Sequence, residues 1–256
     1  MKLFHRDFGK EGKPPLVILH GLLGSSRNWM MAGRDLSEDF HVFGLDLRNH
    51  GRSPHAPGYS YEQMAADVVD WLDDNGLEKV VLLGHSMGGK TAMRLACDHP
   101  DRIRALIVVD ISPRAKIPDD ADAVAALSRL PLEEISSRAE ADQILAEEVS
   151  SIPTRQFLLT NLVRSDDNRW TWQANVPGLS ENIAATGEAP LAEQDRFEGD
   201  VLWIAGGKSD YVKPEDHELI RKHFPEAKIE IFPESGHNPH IDNRVLFVET
   251  VRDFLL

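Results

Sequence analysis

The sequence predicts an α/β fold with a mostly parallel central sheet flanked by helices, and three observations carry that prediction. Short apolar runs alternate with longer segments of helical periodicity through the first half of the chain, as a parallel sheet with crossover helices requires. The same texture returns near residue 197 and continues to the end. Between them, residues 114–196 carry acidic amphipathic stretches and no strand signal. That stretch reads as a helical cap inserted after the strand ending at Asp110 and laid over the strand ends. The expected division is a core made of 1–113 and 197–256, with 114–196 as the cap.

Each element has its own signal. Leu16-Val17-Ile18-Leu19 is a buried strand ending at His20-Gly21, and a helix follows over 28–36. Residues 42–47 make the next strand, which runs into the loop Arg48-Asn49-His50-Gly51-Arg52-Ser53-Pro54. Met64, Ala65, Val68, Val69 and Leu72 recur at helical spacing over 61–74, and Asn75-Gly76 stops that helix. Val80-Val81-Leu82-Leu83 is a strand, and Gly84-His85-Ser86-Met87-Gly88-Gly89 opens the helix behind it. Residues 104–109 form a strand closed by Asp110. Cap helices are expected over 121–130, 132–149 and 155–163. Sheet texture resumes with a strand over 201–205, a helix over 214–224, a strand over 228–232 and a terminal helix over 243–256.

Composition narrows the function classes. A 256-residue α/β chain can form one core, and 41% hydrophobic with 27% charged residues is ordinary for a soluble globular protein. A net charge of −14 argues against nucleic acid, whose phosphates need a basic face, and disfavours anionic membrane surfaces. Cys97 is the only cysteine, so no internal disulfide can form; a small apolar role in a helix suits it. The start, Met1-Lys2-Leu3-Phe4-His5, has no charged segment followed by an apolar one. The longest apolar runs fall far short of the ~20 residues that span a bilayer. The expectation is a cytoplasmic protein, a monomer or small homo-oligomer.

Gly84-His85-Ser86-Met87-Gly88 fits G-x-S-x-G and lies between a predicted strand and a predicted helix, the context this motif needs. The serine sits on a strained turn, where side chains at the flanking glycines would strike the neighbouring strand and helix. The turn lifts the hydroxyl to the carboxyl edge of the sheet, where open α/β sheets bind ligands. The helix behind it points its positive end at a developing oxyanion. Ser86 is therefore the candidate nucleophile; the alternative is a chance match in a Gly/Ser-rich turn.

A serine hydroxyl needs a base, and histidine titrates in the right range. Of the 11 histidines, His237 lies just after the last strand, where chain order (serine, acid, histidine) puts the base. Gly236 lets that loop turn tightly. Two aspartates end strands in the right stretch: Asp110, and Asp210 in Gly207-Lys208-Ser209-Asp210. Chain order does not separate them, and the position two strands after the serine slightly favours Asp210. The oxyanion donors are expected to be the backbone N–H groups of Met87 and of Leu22, in His20-Gly21-Leu22-Leu23-Gly24-Ser25, with His20 as a buttress. Residues 46–54 read as a turn held by side-chain-to-backbone bonds. His50 and His55 lack carboxylate or cysteine partners at ligand spacing, so no metal is expected. Trp170, Trp172, Phe157, Leu158 and Leu162 suit either cap core or pocket lining, with core favoured for each alone.

With these segments assembled, the chain resembles the α/β-hydrolase superfamily over essentially its whole length. Within it the chain is similar to bacterial esterases of the YbfF type and their mitochondrial α/β-hydrolase-domain relatives. The likeness rests on the two glycine loops above, on Asp46-Leu47-Arg48-Asn49-His50-Gly51-Arg52-Ser53-Pro54-His55, and on Val109-Asp110-Ile111-Ser112-Pro113. Gly89-Lys90, Gln156-Phe157-Leu158-Leu159 and Gly206-Gly207-Lys208-Ser209 add to it. The resemblance implies Asp110 as the acid, with Asp210 retained as the alternative. It implies short- to medium-chain acyl esters as substrates, with acyl-CoA thioesters as a further class, and no cofactor. The expectation is thus a serine carboxylesterase or thioesterase acting on a small-molecule substrate. The rivals are lactone opening, carbon–carbon hydrolysis or acyl transfer by the same triad, and a ligand-binding receptor on a hydrolase scaffold.

Overall fold

The structure is a computed structural model that describes residues 1–9, 11–116 and 121–256. In chain order the strands are β1 (His5–Asp7), β2 (Pro15–Leu19), β3 (His41–Leu45), β4 (Val80–His85), β5 (Ile103–Val109), β6 (Leu162–Arg164), β7 (Trp170–Trp172), β8 (Asp200–Gly206) and β9 (Ala227–Phe232). The helices are α1 (Met30–Leu36), α2 (Tyr61–Asp74), α3 (Met87–Asp98), α4 (Ala121–Arg129), α5 (Arg138–Leu145), α6 (Ile152–Leu159), α7 (Val176–Glu181), α8 (Ile183–Thr186), α9 (Asp216–His223), α10 (Pro239–Asp242) and α11 (Arg244–Leu255).

Seven strands form one sheet in the order β1-β3-β2-β4-β5-β8-β9, parallel throughout except for β1 against β3. Strand β4 is buried along its whole length and β2 after its first residue, because helices cover both faces of a parallel sheet. Alternate residues divide between the two faces. Leu16, Ile18, Val81, Leu83, Ile107 and Val109 pack with Trp29, Leu36, Phe247 and Val251, the α1 and α11 side. Val17, Leu19, Leu82, Leu106, Val108 and Trp203 pack with Val68, Leu72, Met93, Ile220 and Phe224, the α2, α3 and α9 side. Helix α2 starts where Ser60 and Gln63 form a reciprocal capping box and stops at Asn75, before Gly76 at φ +65°.

Between β5 and β8 the chain leaves the sheet, and here two expectations change. The helix expected over 132–149 is confined to α5. The chain turns first, the Glu134 N–H donating to the Pro131 carbonyl at 3.0 Å, and Ser137 caps the later start by accepting from the Glu140 N–H at 3.1 Å. Strands were not expected in this segment at all. Yet the chain runs out of α6 at Leu159 and pairs β6 with β7, Leu162 opposite Trp172 and Arg164 opposite Trp170. Asn168 takes φ +62° at the turn, and the Ser165 N–H donates to the Arg169 carbonyl at 2.9 Å. Three-residue strands are too short to show a period of two, so pairing alone reveals them.

The insertion is tied to the loops at the carboxyl ends of the strands. Asn161 Nδ2 donates to the Leu23 carbonyl at 2.8 Å, and the Asn175 N–H to that of Asn49 at 2.9 Å. Tyr61, at the start of α2, donates its hydroxyl to the Thr186 carbonyl at 2.5 Å. No helix among the described residues is long and apolar enough to cross a membrane.

Candidate active site

Ser86 stands alone between β4 and α3, at φ +52° and ψ −119°, a backbone region that a residue with a Cβ enters only under strain. Its N–H donates to the Val109 carbonyl at 3.0 Å and its carbonyl accepts from the Lys90 N–H at 3.1 Å, so strand and helix hold the turn from both ends. The motif's glycines have a steric cause. A Cβ on Gly84 would lie 2.2 Å from the Gly88 oxygen, and one on Gly88 would lie 2.5 Å from the Leu19 oxygen. Met87 opens α3, so its N–H is one of the helix's unpaired first-turn donors.

His237 lies in the loop after β9. Its Nδ1–H donates to Asp110 Oδ2 at 2.7 Å. Asp110 ends β5 at φ +48° and is fully buried. Its other oxygen accepts from the Gly206 N–H at 2.8 Å, and Ser209 donates its hydroxyl to Oδ2. Three donors thus aim the carboxylate and compensate its burial. Asp210 is elsewhere: its side chain is 84% exposed and its partner is Lys213 at 3.8 Å. Of the two aspartates, the structure brings only Asp110 to His237.

Ser209, the Gly206 N–H, His85 and Tyr211 were not singled out as site groups from the sequence. Tyr211 stacks on the His237 ring with centroids 3.9 Å apart. His85 Nε2–H donates to the His237 carbonyl at 2.7 Å. Burial, and then the neighbouring His237, push the His85 imidazole down to about 3, so it is a neutral donor at ordinary pH. The glycine run 206–207 was the available signal: a Cβ on Gly206 would meet the Gly236 oxygen at 2.0 Å, so that strand end and the histidine loop touch.

The loop after β2 passes directly behind the serine. A Cβ on Gly21 would lie 3.0 Å from His85 Nδ1 and 3.2 Å from the Ser86 Cβ. His20 braces this loop from beneath: its Nδ1–H donates to the Gly21 carbonyl at 2.7 Å and its Nε2 accepts from the Leu47 N–H at 3.0 Å. That pairing uses each ring nitrogen once and suits a neutral ring, which burial favours by lowering the His20 pKa. Asp46 accepts from the N–H groups of Ser26 (2.6 Å) and Arg52 (2.8 Å), and Asn49 exchanges two hydrogen bonds with Ala56. The 46–54 segment is a braced turn.

Leu22, Ser86 and Met87 line one small open cavity with Tyr61, Lys90, Ile111, Lys116, Thr186 and Tyr211. The aromatic and leucine candidates of the insertion are not part of it. Leu158 and Leu162 are buried in the core, and Trp170 lies under the Arg164 guanidinium at 3.8 Å. Among the described residues no three His, Cys, Asp or Glu side chains converge as a metal site would require.

The α/β-hydrolase fold family matches residues 14–244. The mouse "sn-1-specific diacylglycerol lipase ABHD11" is 38% identical over 250 residues, covering 94% of this chain and 81% of that protein. "Esterase YbfF" of Escherichia coli strain K12 is 31% identical, covering 94% and 92%. A solved "Marine microorganism esterase" superposes with a TM-score of 0.96 at 36% identity and 99% coverage of both chains.

Proposed function

The chain belongs to the α/β-hydrolase family, as an ester-bond hydrolase of the esterase and lipase type, and from that premise we propose that it is a serine carboxylesterase using Ser86, His237 and Asp110. The observation that carries this reading is the 2.7 Å bond from His237 to buried Asp110, on a loop that touches the residue preceding Ser86. Residues 114–196 act as the cap over this site.

In the proposed reaction His237 Nε2 takes the Ser86 proton as Oγ bonds to the ester carbonyl carbon. Asp110 stabilises the resulting imidazolium. The N–H groups of Leu22 and Met87 hold the oxyanion, at the positive end of α3. The intermediate collapses as the carbon–oxygen bond to the alcohol breaks, and the imidazolium proton goes to the departing oxygen. Water then attacks the acyl-enzyme while His237 takes its proton. That proton returns to Ser86 as the acid leaves. Thioesters follow the same steps with sulfur departing. A single cysteine suits a cytoplasmic setting.

The test is Ser86→Ala on a short-chain p-nitrophenyl ester, with a fluorophosphonate probe as the second readout. Turnover should fall by at least about 10⁴-fold and labelling should vanish. Undiminished turnover would refute the mechanism.

A further inference from the structure

The loop after β2 carries one of the two proposed oxyanion donors in a conformation that its own residues resist. Residues 21–24 close a tight turn, with the Gly24 N–H donating to the Gly21 carbonyl at 3.0 Å. Leu23, third in that turn, takes φ +57°. This is the pattern of a type II turn, whose third residue is normally glycine or asparagine because other side chains disfavour positive φ. The turn aims the donor. The Gly21 carbonyl also accepts from His20 Nδ1–H at 2.7 Å, and across a trans peptide the Leu22 N–H points the opposite way, away from His20. Were Leu23 to relax to negative φ, the Gly24 bond would open and the Gly21–Leu22 peptide would be free to turn.

The insertion supplies the restraint. Asn161 stands between α6 and β6, only 4% exposed, and its Nδ2 donates to the Leu23 carbonyl at 2.8 Å across 138 positions of chain. The same nitrogen reaches the Leu158 carbonyl at 3.4 Å, and the Asn161 carbonyl accepts from the Gln173 N–H at 2.8 Å. The amide is thus fixed where the helix hands over to the hairpin. Fastening the insertion would not by itself require a bond to Leu23, because Thr186 and Asn175 already tie it to Tyr61 and Asn49. Leu23 is buried, so without Asn161 its carbonyl would have to turn to find another donor.

We propose that Asn161 is a positioning residue for the oxyanion hole: by holding the Leu23 carbonyl it keeps the strained turn closed and the Leu22 N–H aimed, so that seating of the insertion completes the catalytic site. The proposal rests on the serine-esterase reading above and on the role it gives Leu22. Asn161→Leu keeps the size and removes the donor. On a short-chain p-nitrophenyl ester it should lower kcat by at least about tenfold with KM within about threefold. A trifluoromethyl ketone, whose adduct with Ser86 carries the oxyanion, should lose affinity by the same factor. Adding Leu23→Gly, which takes positive φ without strain, should raise kcat of the Asn161→Leu protein by at least about threefold and that of the unaltered protein not at all. Loss of kcat with ketone affinity unchanged would make Asn161 structural and overturn the proposal, as would a glycine that rescues nothing. Should Asn161→Leu fail to fold, Asn161→Ala is read by the same two measurements. Undiminished kcat in the variant sinks this proposal alone. An unaltered enzyme that neither turns over the ester nor binds the ketone sinks the esterase reading beneath it.

Discussion

Asp110 and Asp210 carry the same carboxylate, and their surroundings give them different work. Asp110 is fully buried, bonded to His237 and aimed by Gly206 and Ser209, whereas Asp210 stands in solvent beside Lys213. Asp110→Asn keeps the shape, removes the charge that stabilises an imidazolium, and offers an amide donor to His237 Nδ1. It should lower kcat by about 10⁴-fold, whereas Asp210→Asn should leave kcat within about twofold. Steady-state hydrolysis of one ester by both variants measures this, and collapse of Asp210→Asn alone would reverse the assignment. Both aspartates were legible as candidates because each ends a strand run. The choice between them depends on which strand end the histidine loop touches, and residue spacing along the chain does not encode that contact.

The strand–serine–helix unit was legible from its glycines, since those at 84 and 88 are demanded by atoms 2.2 and 2.5 Å from where a Cβ would be. Gly88→Ala isolates that constraint. Alanine favours a helix interior over glycine by about 1 kcal/mol, so α3 taken alone would be stabilised. Contact with the Leu19 and His20 oxygens should reverse the sign. Thermal melting should show a loss of at least about 2 kcal/mol, together with reduced kcat because Ser86 moves with the helix start. An unchanged or higher melting temperature would contradict the packing described. Elements of the insertion were less legible. Its helices are short and locally capped, and β6 and β7 have three residues each, so neither period repeats often enough to declare itself.

Across the whole molecule, buried histidines sit where separate elements meet. His20 joins the loop after β2 to that after β3, His85 joins β4 to the His237 loop, and His240 stacks on Trp29 at 4.0 Å. Burial holds all three neutral by lowering their pKa values, His85 to about 3, and it lowers His50 to about 3 as well. In the unfolded chain they protonate near 6.5. Between these limits the unfolded state binds more protons, so stability is full above about pH 6.5 and falls as pH drops toward 3. Each such histidine adds a slope of about 1.4 kcal/mol per pH unit. Denaturant melts at pH 7, 6 and 5 should show the decline, and a flat profile would mean that these rings take up protons in the folded protein.

Local sequence decided the parallel strands, the glycine-lined serine turn, the acidic surface and the shortlist of reactive groups, because steric demands and hydrophobic periods act over a few residues. The tertiary structure decided the rest. It set Asp110 rather than Asp210 against His237, recruited Ser209 and His85 as supports, folded a hairpin into the insertion, and seated Asn161 against the loop after β2. Those outcomes depend on contacts between residues far apart in the chain, 127 positions for Asp110 and His237 and 138 for Leu23 and Asn161. The sheet order and the path of the insertion bring such pairs together, and no local pattern records them.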